Sequence, residues 1–301
     1  MHRNAFFRTA LLALLLLPAS VVGQGFRTRC GAGIHTGDRS GFVPLPDGSL
    51  FCSLVADPKS PHSFLSYLDG DFATIADPRL DTSTTLASIG LGDTFGLFRI
   101  AGKRAGNGVQ LDLSGAIFSQ FNLDEPSFDL INADYLVGLP LTFRARGFSG
   151  RLQVYHQSSH LGDEFLLDRQ PERENLSFES LELILSQEVS ALRIYGGIES
   201  FFRHRPSIAV VSRLVHTGAE LRPGAGAGRL VAAVDIKIIE QRDWSVSWSA
   251  RAGVEIARMP SPGHPPRVVS LLGEYYDGSA PYGQFYRDDI KYLGVGLHFS
   301  L

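Results

Sequence analysis

His156, Ser158 and Glu179 are the residues whose types and spacing suit acyl transfer. In RLQVYHQSSHLGDEF, Arg151 to Phe165, the period of two in a strand puts Leu152, Val154, His156, Ser158 and His160 on one face. Arg151, Gln153, Tyr155, Gln157 and Ser159 share the other. In NLSFESLELIL, Asn175 to Leu185, the apolar parity of Leu181, Leu183 and Leu185 runs back to Glu179, Ser177 and Asn175. Two neighbouring strands therefore turn from apolar to polar on one face, at the same end. Paired as neighbours, Leu183 falls across from Val154 or Leu152, which brings Glu179 beside His156.

Cleaving an ester takes a nucleophile, a base within hydrogen-bond reach, a group that orients the base, and donors for the oxyanion. On this pairing Ser158 attacks an acyl carbonyl, His156 takes its proton, and Glu179 fixes the imidazole tautomer and favours the imidazolium. Backbone N–H groups past Ser159, or that of Gly162, are the candidate oxyanion donors. The plain alternative is an interface without chemistry. Basic side chains cost only about 0–1 kcal/mol near a membrane interface, against about 2–4 kcal/mol at the midplane. His160, Asp163 and Glu164 suit either a divalent cation such as calcium or a solvated loop, and no other cofactor is implied.

The elements that would position these residues are strands of a membrane barrel. Arg3 and Arg8 followed by Leu11–Leu17 and the mostly small residues of 19–23 read as an export leader cleaved near Gly23. No later run approaches the roughly 20 apolar residues of a spanning helix. Acidic residues number 31 against 28 Lys and Arg. Arg3 and Arg8 leave with the leader, which takes the basic count from 28 to 26 and the mature net charge to about −5, a balance that argues against nucleic acid. Cys30 and Cys52 offer no metal spacing; in an oxidising compartment they would close a loop of about 20 residues, worth about 3 kcal/mol.

From Gln24 to about Pro61 the chain is rich in Gly, Pro and Asp and has no sustained period. After that come alternating runs of about ten residues divided by turns. Val109, Leu111, Leu113 and Ile117 alternate with Gln110, Asp112 and Ser114. Ile131, Tyr135, Val137, Leu139, Leu141 and Phe143 then stand opposite Asn132, Asp134, Thr142 and Arg144. The last run carries Leu293, Val295, Leu297 and Phe299 to the end of the chain. Twelve such runs lie near 64–68, 87–100, 109–122, 129–145, 150–160, 176–186, 191–202, 214–222, 230–239, 245–256, 268–276 and 292–301. Alternation also suits a soluble sandwich, but the leader, the run length, the aromatics near run ends and a final strand at the C-terminus favour an outer-membrane barrel. The glycines of SIGLGDTFG, GAGAG and YLGVGL are followed by no helical period, so they are not a phosphate loop. Gly224–Gly228 reads as a turn. Gln110, Asp112, Asn132, Asp134, Arg144, Arg151 and Glu182 mix both charges on the inner face, as in a filled lumen more than an open pore.

Two resemblances attach to these residues. HQSS with an acidic or amide partner on the next strand resembles the His-x-Ser site of the outer-membrane phospholipase A family, twelve-stranded barrels with catalytic residues on the outer wall. It is also similar to the lipid A 3-O-deacylase arrangement of His-x-Ser with a Glu. The similarity covers His156, Ser158 and one of Glu179 or Asn175. The chain departs at Ser159 and His160, where those enzymes carry Asn and then a small residue, which leaves calcium and the oxyanion hole unassigned. Over most of the mature chain, through GFVPLPDGSLFCSLVADP, GDTFGLFRI, SGAIFSQFNLD, DLINADYLVGLP, YHQSSHLGDEF and YYDGSAPYGQFYRDDIKYLGVGLHF, it resembles a bacterial family of membrane barrels that carries a domain-of-unknown-function label.

The expected fold is all-β: a transmembrane antiparallel β-barrel of about 12 strands. The expected divisions are a signal peptide at 1–23, an irregular N-terminal segment at 24–61 and the barrel at 62–301. The expected setting is the bacterial outer membrane, with membrane lipid as partner. The sharpest functional expectation is a serine-type hydrolase of acyl esters on outer-leaflet lipid, phospholipid or lipid A. A non-catalytic barrel, as scaffold, binder or narrow channel, is the alternative.

Overall fold

A computed structural model of the protein describes residues 41–72, 84–104, 106–171, 175–205, 213–223, 228–258 and 267–300. The expected leader, Cys30 and most of the Gly224–Gly228 turn lie outside the described residues.

The alternating runs become strands because each one separates two environments. On β5 (Leu130–Ala145) and β6 (Phe148–Leu161), Val137, Leu139, Leu141, Leu152 and Val154 are exposed, while Asp134, Thr142, Arg151 and Gln153 are buried. Apolar outside and polar inside is the pattern of a barrel whose wall meets lipid. The remaining strands are β1 (Gly41–Pro44), β2 (Ser63–Asp71), β3 (Thr84–Ala101), β4 (Gly108–Asn122), β7 (Leu176–Val189), β8 (Leu192–Arg205) and β9 (Arg213–Leu221). After them come β10 (Gly228–Ile239), β11 (Ser245–Arg258), β12 (Arg267–Ser279) and β13 (Asp289–Ser300). Strands β2 to β13 pair antiparallel in chain order, and β13 pairs back onto β2, so the sheet closes as a barrel of twelve. All twelve expected runs are strands. β1 is an addition that pairs with the far end of β3, Gly41 across from Ala101.

Closure sets the tilt. Stepping across ladder partners from Ala101 through Gly108, Arg144, Ser149 and on around the barrel returns to β3 at Thr84, 17 residues earlier. A stagger of that size requires steeply inclined strands. At one end the connections are short. Arg146 and Gly147, with φ of 52° and 84°, make the two-residue turn whose twist matches its strands. The other end carries longer connections, one of them holding the short helix α1 (Asp163–Arg169). Gly162 leads into α1 where a Cβ would come 1.8 Å from the Leu130 carbonyl oxygen. Among the described residues no helix is long and apolar enough to cross a membrane.

Residues 45–62, which show no period, thread the lumen as a plug. Irregular backbone inside a barrel must find hydrogen-bond partners, and arginines of the wall supply them. Arg99 donates to the Asp47 and Gly48 carbonyls at 2.9 Å, Arg193 to Cys52 at 3.1 Å and Arg251 to Val55 at 2.8 Å. Leu50, Phe51, Leu54 and Ala56 are buried there. Lys59 pairs with Asp134 at 2.6 Å and Asp57 with Lys237 at 2.7 Å. Burial pushes the Asp57 carboxyl up, but the Lys237 ammonium overrides it and holds the group well below the usual carboxylate range. Just ahead of β2, His62 Nε2 lies 3.0 Å from His298 Nδ1. Burial, then the neighbouring His298 and Arg251, bring the His62 pKa down to about 3. Cys52 is disulfide-bonded.

Ile131 departs from the sequence expectation. Period two sends it outward with Tyr135 and Val137. Between β4 and β5, however, Gln120 pairs with Asn132 and Phe121 with Leu130, so Ile131 is an extra residue. The bulge turns it inward, where it packs fully buried among Phe165, Tyr282 and Phe285 in an apolar roof. Between roof and plug lies a cavity of about 180 Å³, walled by Arg151, Glu182, Glu199 and Phe178 and floored by Lys59.

Candidate active site on the outer wall

The three expected residues lie on the outside of β6 and β7, toward the end with the long connections. The ladder sets Leu152 across from Leu183, His156 across from Glu179 and Ser158 across from Ser177. This is the register that apolar parity implies. On the inner side β6 is pinned: Arg151 donates to Glu182 at 2.7 Å, Tyr155 to Glu199 and Ser159 to Asp134. Each outward residue therefore rides on backbone whose neighbours are held.

His156 Nδ1 lies 3.3 Å from Glu179 Oε1, and the two side chains are 42% and 26% exposed. A ring whose Nδ1–H donates to a carboxylate presents Nε2 as its basic nitrogen. Ser158, two residues along, leaves the same face and stands across from Tyr135 of β5. Its hydroxyl has no hydrogen-bond partner among the described residues. The His–Ser contact of a working dyad is therefore not made in this structure; contacts of that kind often tighten when substrate binds. Asn175 is exposed ahead of β7, so of the two candidate partners Glu179 is the one that meets His156.

Gly162 is not an oxyanion donor, contrary to expectation. Its N–H donates to the Ile131 carbonyl at 3.0 Å, a bond that fixes the corner from β6 into α1. His160 continues the outer face and meets Tyr135 edge-on, with ring centres 5.7 Å apart. Asp163 and Glu164 are exposed in the first turn of α1. Among the described residues no three His, Cys, Asp or Glu side chains converge as metal ligands.

One neighbour escaped the sequence reading. Arg203 of β8 brings Nη1 to 3.9 Å from the same Glu179 oxygen. It lies past the expected run 191–202, and only the pairing of β7 with β8 reveals which way it turns.

The sequence model of the family described as "Protein of unknown function (DUF1207)" matches residues 39–301. The chain belongs to that family. A search of curated protein sequences finds no match. The DUF1207 barrel is similar to the crystal structure of the Salmonella typhi outer membrane phospholipase (OMPLA) dimer with bound calcium, at TM-score 0.54 and 16% identity over 81% of this chain and 93% of that one. It is similar in the same degree to outer membrane phospholipase A from Escherichia coli, at TM-score 0.54 and 16% identity over 80% and 94%. Likeness at this identity is one of fold, and it makes the DUF1207 chain an outer-membrane-type β-barrel.

Proposed function

We propose that this barrel is a serine hydrolase of acyl esters in the outer leaflet of a bacterial outer membrane. The observation that carries the reading is the His156–Glu179 contact on an apolar outer wall, with Ser158 two residues away on the same face. The short turns then lie in the periplasm and α1 outside, so the cluster sits at the depth of headgroups and ester bonds. A lipid reaches it from the bilayer without entering the lumen.

In the proposed reaction the Ser158 hydroxyl oxygen bonds to the ester carbonyl carbon as His156 Nε2 takes its proton. The tetrahedral intermediate collapses by breaking the bond to the alcohol oxygen, which leaves with the proton from the imidazolium. Water then attacks the acyl-serine, giving its proton to His156; Ser158 regains a proton and the fatty acid departs. Glu179 holds the ring and stabilises its positive charge throughout. Phospholipid and lipid A both present such esters. No step is routed through a cation. The plug and roof in the lumen weigh against the alternative of an open channel.

The test is labelling of detergent-purified protein with a fluorophosphonate probe, alongside fatty-acid release from phospholipid and lipid A. Modification at Ser158, with both signals lost in Ser158→Ala, is expected. Fatty-acid release that survives Ser158→Ala rejects the assignment.

A further inference from the structure

The ladder between β7 and β8 slips once. Ser180 pairs with Phe201 and Glu179 with Arg203, which makes Phe202 an extra residue on β8. Phe201 lines the lumen cavity, so unbroken alternation would send Phe202 out and Arg203 in. The bulge leaves both on the outside, where Phe202 is 61% exposed and the Arg203 side chain 79%. Re-aiming one side chain is what bulges beside sites do. The result is a row of His156, Glu179 and Arg203 across three adjacent strands, each step about 4.8 Å.

The guanidinium in that row is under-used. Among the described residues its ion-pair contact is one oxygen of Glu179 at 3.9 Å, and that oxygen also meets His156 at 3.3 Å. A cation on a lipid-facing wall is tolerated at headgroup depth and disfavoured at the midplane. At that depth the abundant group that matches a planar fork of N–H donors is a phosphate, which takes two parallel hydrogen bonds from arginine. Phe202 beside it is placed to lie against an acyl chain.

We propose that Arg203 clamps the phosphate of the lipid whose ester lies at Ser158, which makes the substrate a phosphate-bearing lipid and not a neutral acylglycerol. The inference rests on the hydrolase reading above. Arg203 sets specificity by holding the headgroup two strands away from the nucleophile, so that a glycerol- or sugar-sized spacer brings the ester to Ser158. Its contribution belongs to binding and alignment, and is felt mainly in KM.

The experiment uses full-length wild-type, R203A and R203K proteins in mixed micelles. Phosphatidylglycerol and diacylglycerol with matched chains are the substrates, and native mass spectrometry counts the lipid each protein retains. R203A is expected to lower the phosphatidylglycerol-to-diacylglycerol ratio of kcat/KM at least tenfold, with R203K between it and wild type. An unchanged ratio overturns the clamp and leaves the hydrolase standing. If wild type cleaves neither ester and releases no fatty acid from lipid A, the hydrolase reading fails; wherever neither ester is cleaved, retention of phosphatidylglycerol that R203A abolishes still upholds the phosphate contact, and equal retention overturns it. Release of the retained lipid by millimolar inorganic phosphate alone would overturn the lipid as the source of the phosphate.

Discussion

Glu179 and His156 lie directly opposite each other in the β6–β7 ladder, with Oε1 of one 3.3 Å from Nδ1 of the other on the outer wall of the barrel. If that contact orients a catalytic base, the two residues differ in what their loss does. His156→Gln removes the base and should lower fatty-acid release about 10²- to 10⁴-fold. Glu179→Gln keeps an oxygen that accepts from Nδ1–H but loses the charge that stabilises the imidazolium, so it should lose less than Glu179→Ala. Both side chains are partly exposed, so the heat-modifiable gel mobility of the folded barrel should be preserved in all three variants. Equal activity in all three and wild type would remove the pair from the mechanism.

Arg251 and Glu274 join the wall to the plug. Arg251 Nη2 is 2.9 Å from a Glu274 carboxylate oxygen, both are buried, and Arg251 Nη1 holds the Val55 carbonyl. Removing one partner strands a buried charge, so Arg251→Ala should destabilise the barrel by about 3–5 kcal/mol in urea unfolding. Arg251→Met combined with Glu274→Gln removes both charges and should recover a good part of that loss. A double variant as unstable as the sum of its parts would show that the ion pair is not what couples these residues.

The barrel was legible in the sequence because its strands divide an apolar outer face from a polar interior at every second residue; Leu152, Gln153 and Val154 carry that signal without help from the rest of the chain. The same parity placed Glu179 beside His156. Parity fails where the ladder slips, and it failed at Ile131, which a bulge turns into the roof. It was equally silent on Arg203, whose outward aim depends on one extra residue in β8. The plug was hidden for a different reason. Leu50, Phe51 and Leu54 are too few to show a period, and Arg99, Arg193 and Arg251, which hold its backbone, come from strands far away in sequence.

Gly162 fixes the corner that joins β6 to the roof. A Cβ at this position would meet the Leu130 carbonyl oxygen at 1.8 Å, a backbone atom that cannot swing aside, and the Gly162 N–H is itself bonded to Ile131. Gly162→Ala should therefore pry the β6–α1 corner from β5, costing about 1–3 kcal/mol as an overpacked substitution does. Limited proteolysis after α1 should speed up, while cleavage in the short turns at the other end should not. Unaltered proteolysis and thermal stability would mean that the corner has room to relax.

His62 makes plug seating depend on pH. Seated, it is held near pKa 3 by burial and by the neighbouring His298 and Arg251, with Glu274 the acidic group among its neighbours; released, it returns to about 6.5. Between those values the released state binds a proton that the seated state refuses, so seating is favoured above 6.5 and weakens as the pH falls toward 3. The slope is at most about 1.4 kcal/mol per pH unit from this one group. Asp57 does not act between pH 7 and 4.5: its pKa is lowered from an ordinary 3.8, so its contribution starts to fade only below that value. Hydrogen exchange of residues 50–60 should accelerate from pH 7 to pH 4.5, relative to the barrel strands and after correction for intrinsic rates. His62→Asn, which keeps a donor and acceptor but cannot take the proton, should flatten that trend. The same pH dependence in both proteins would assign the effect to another group.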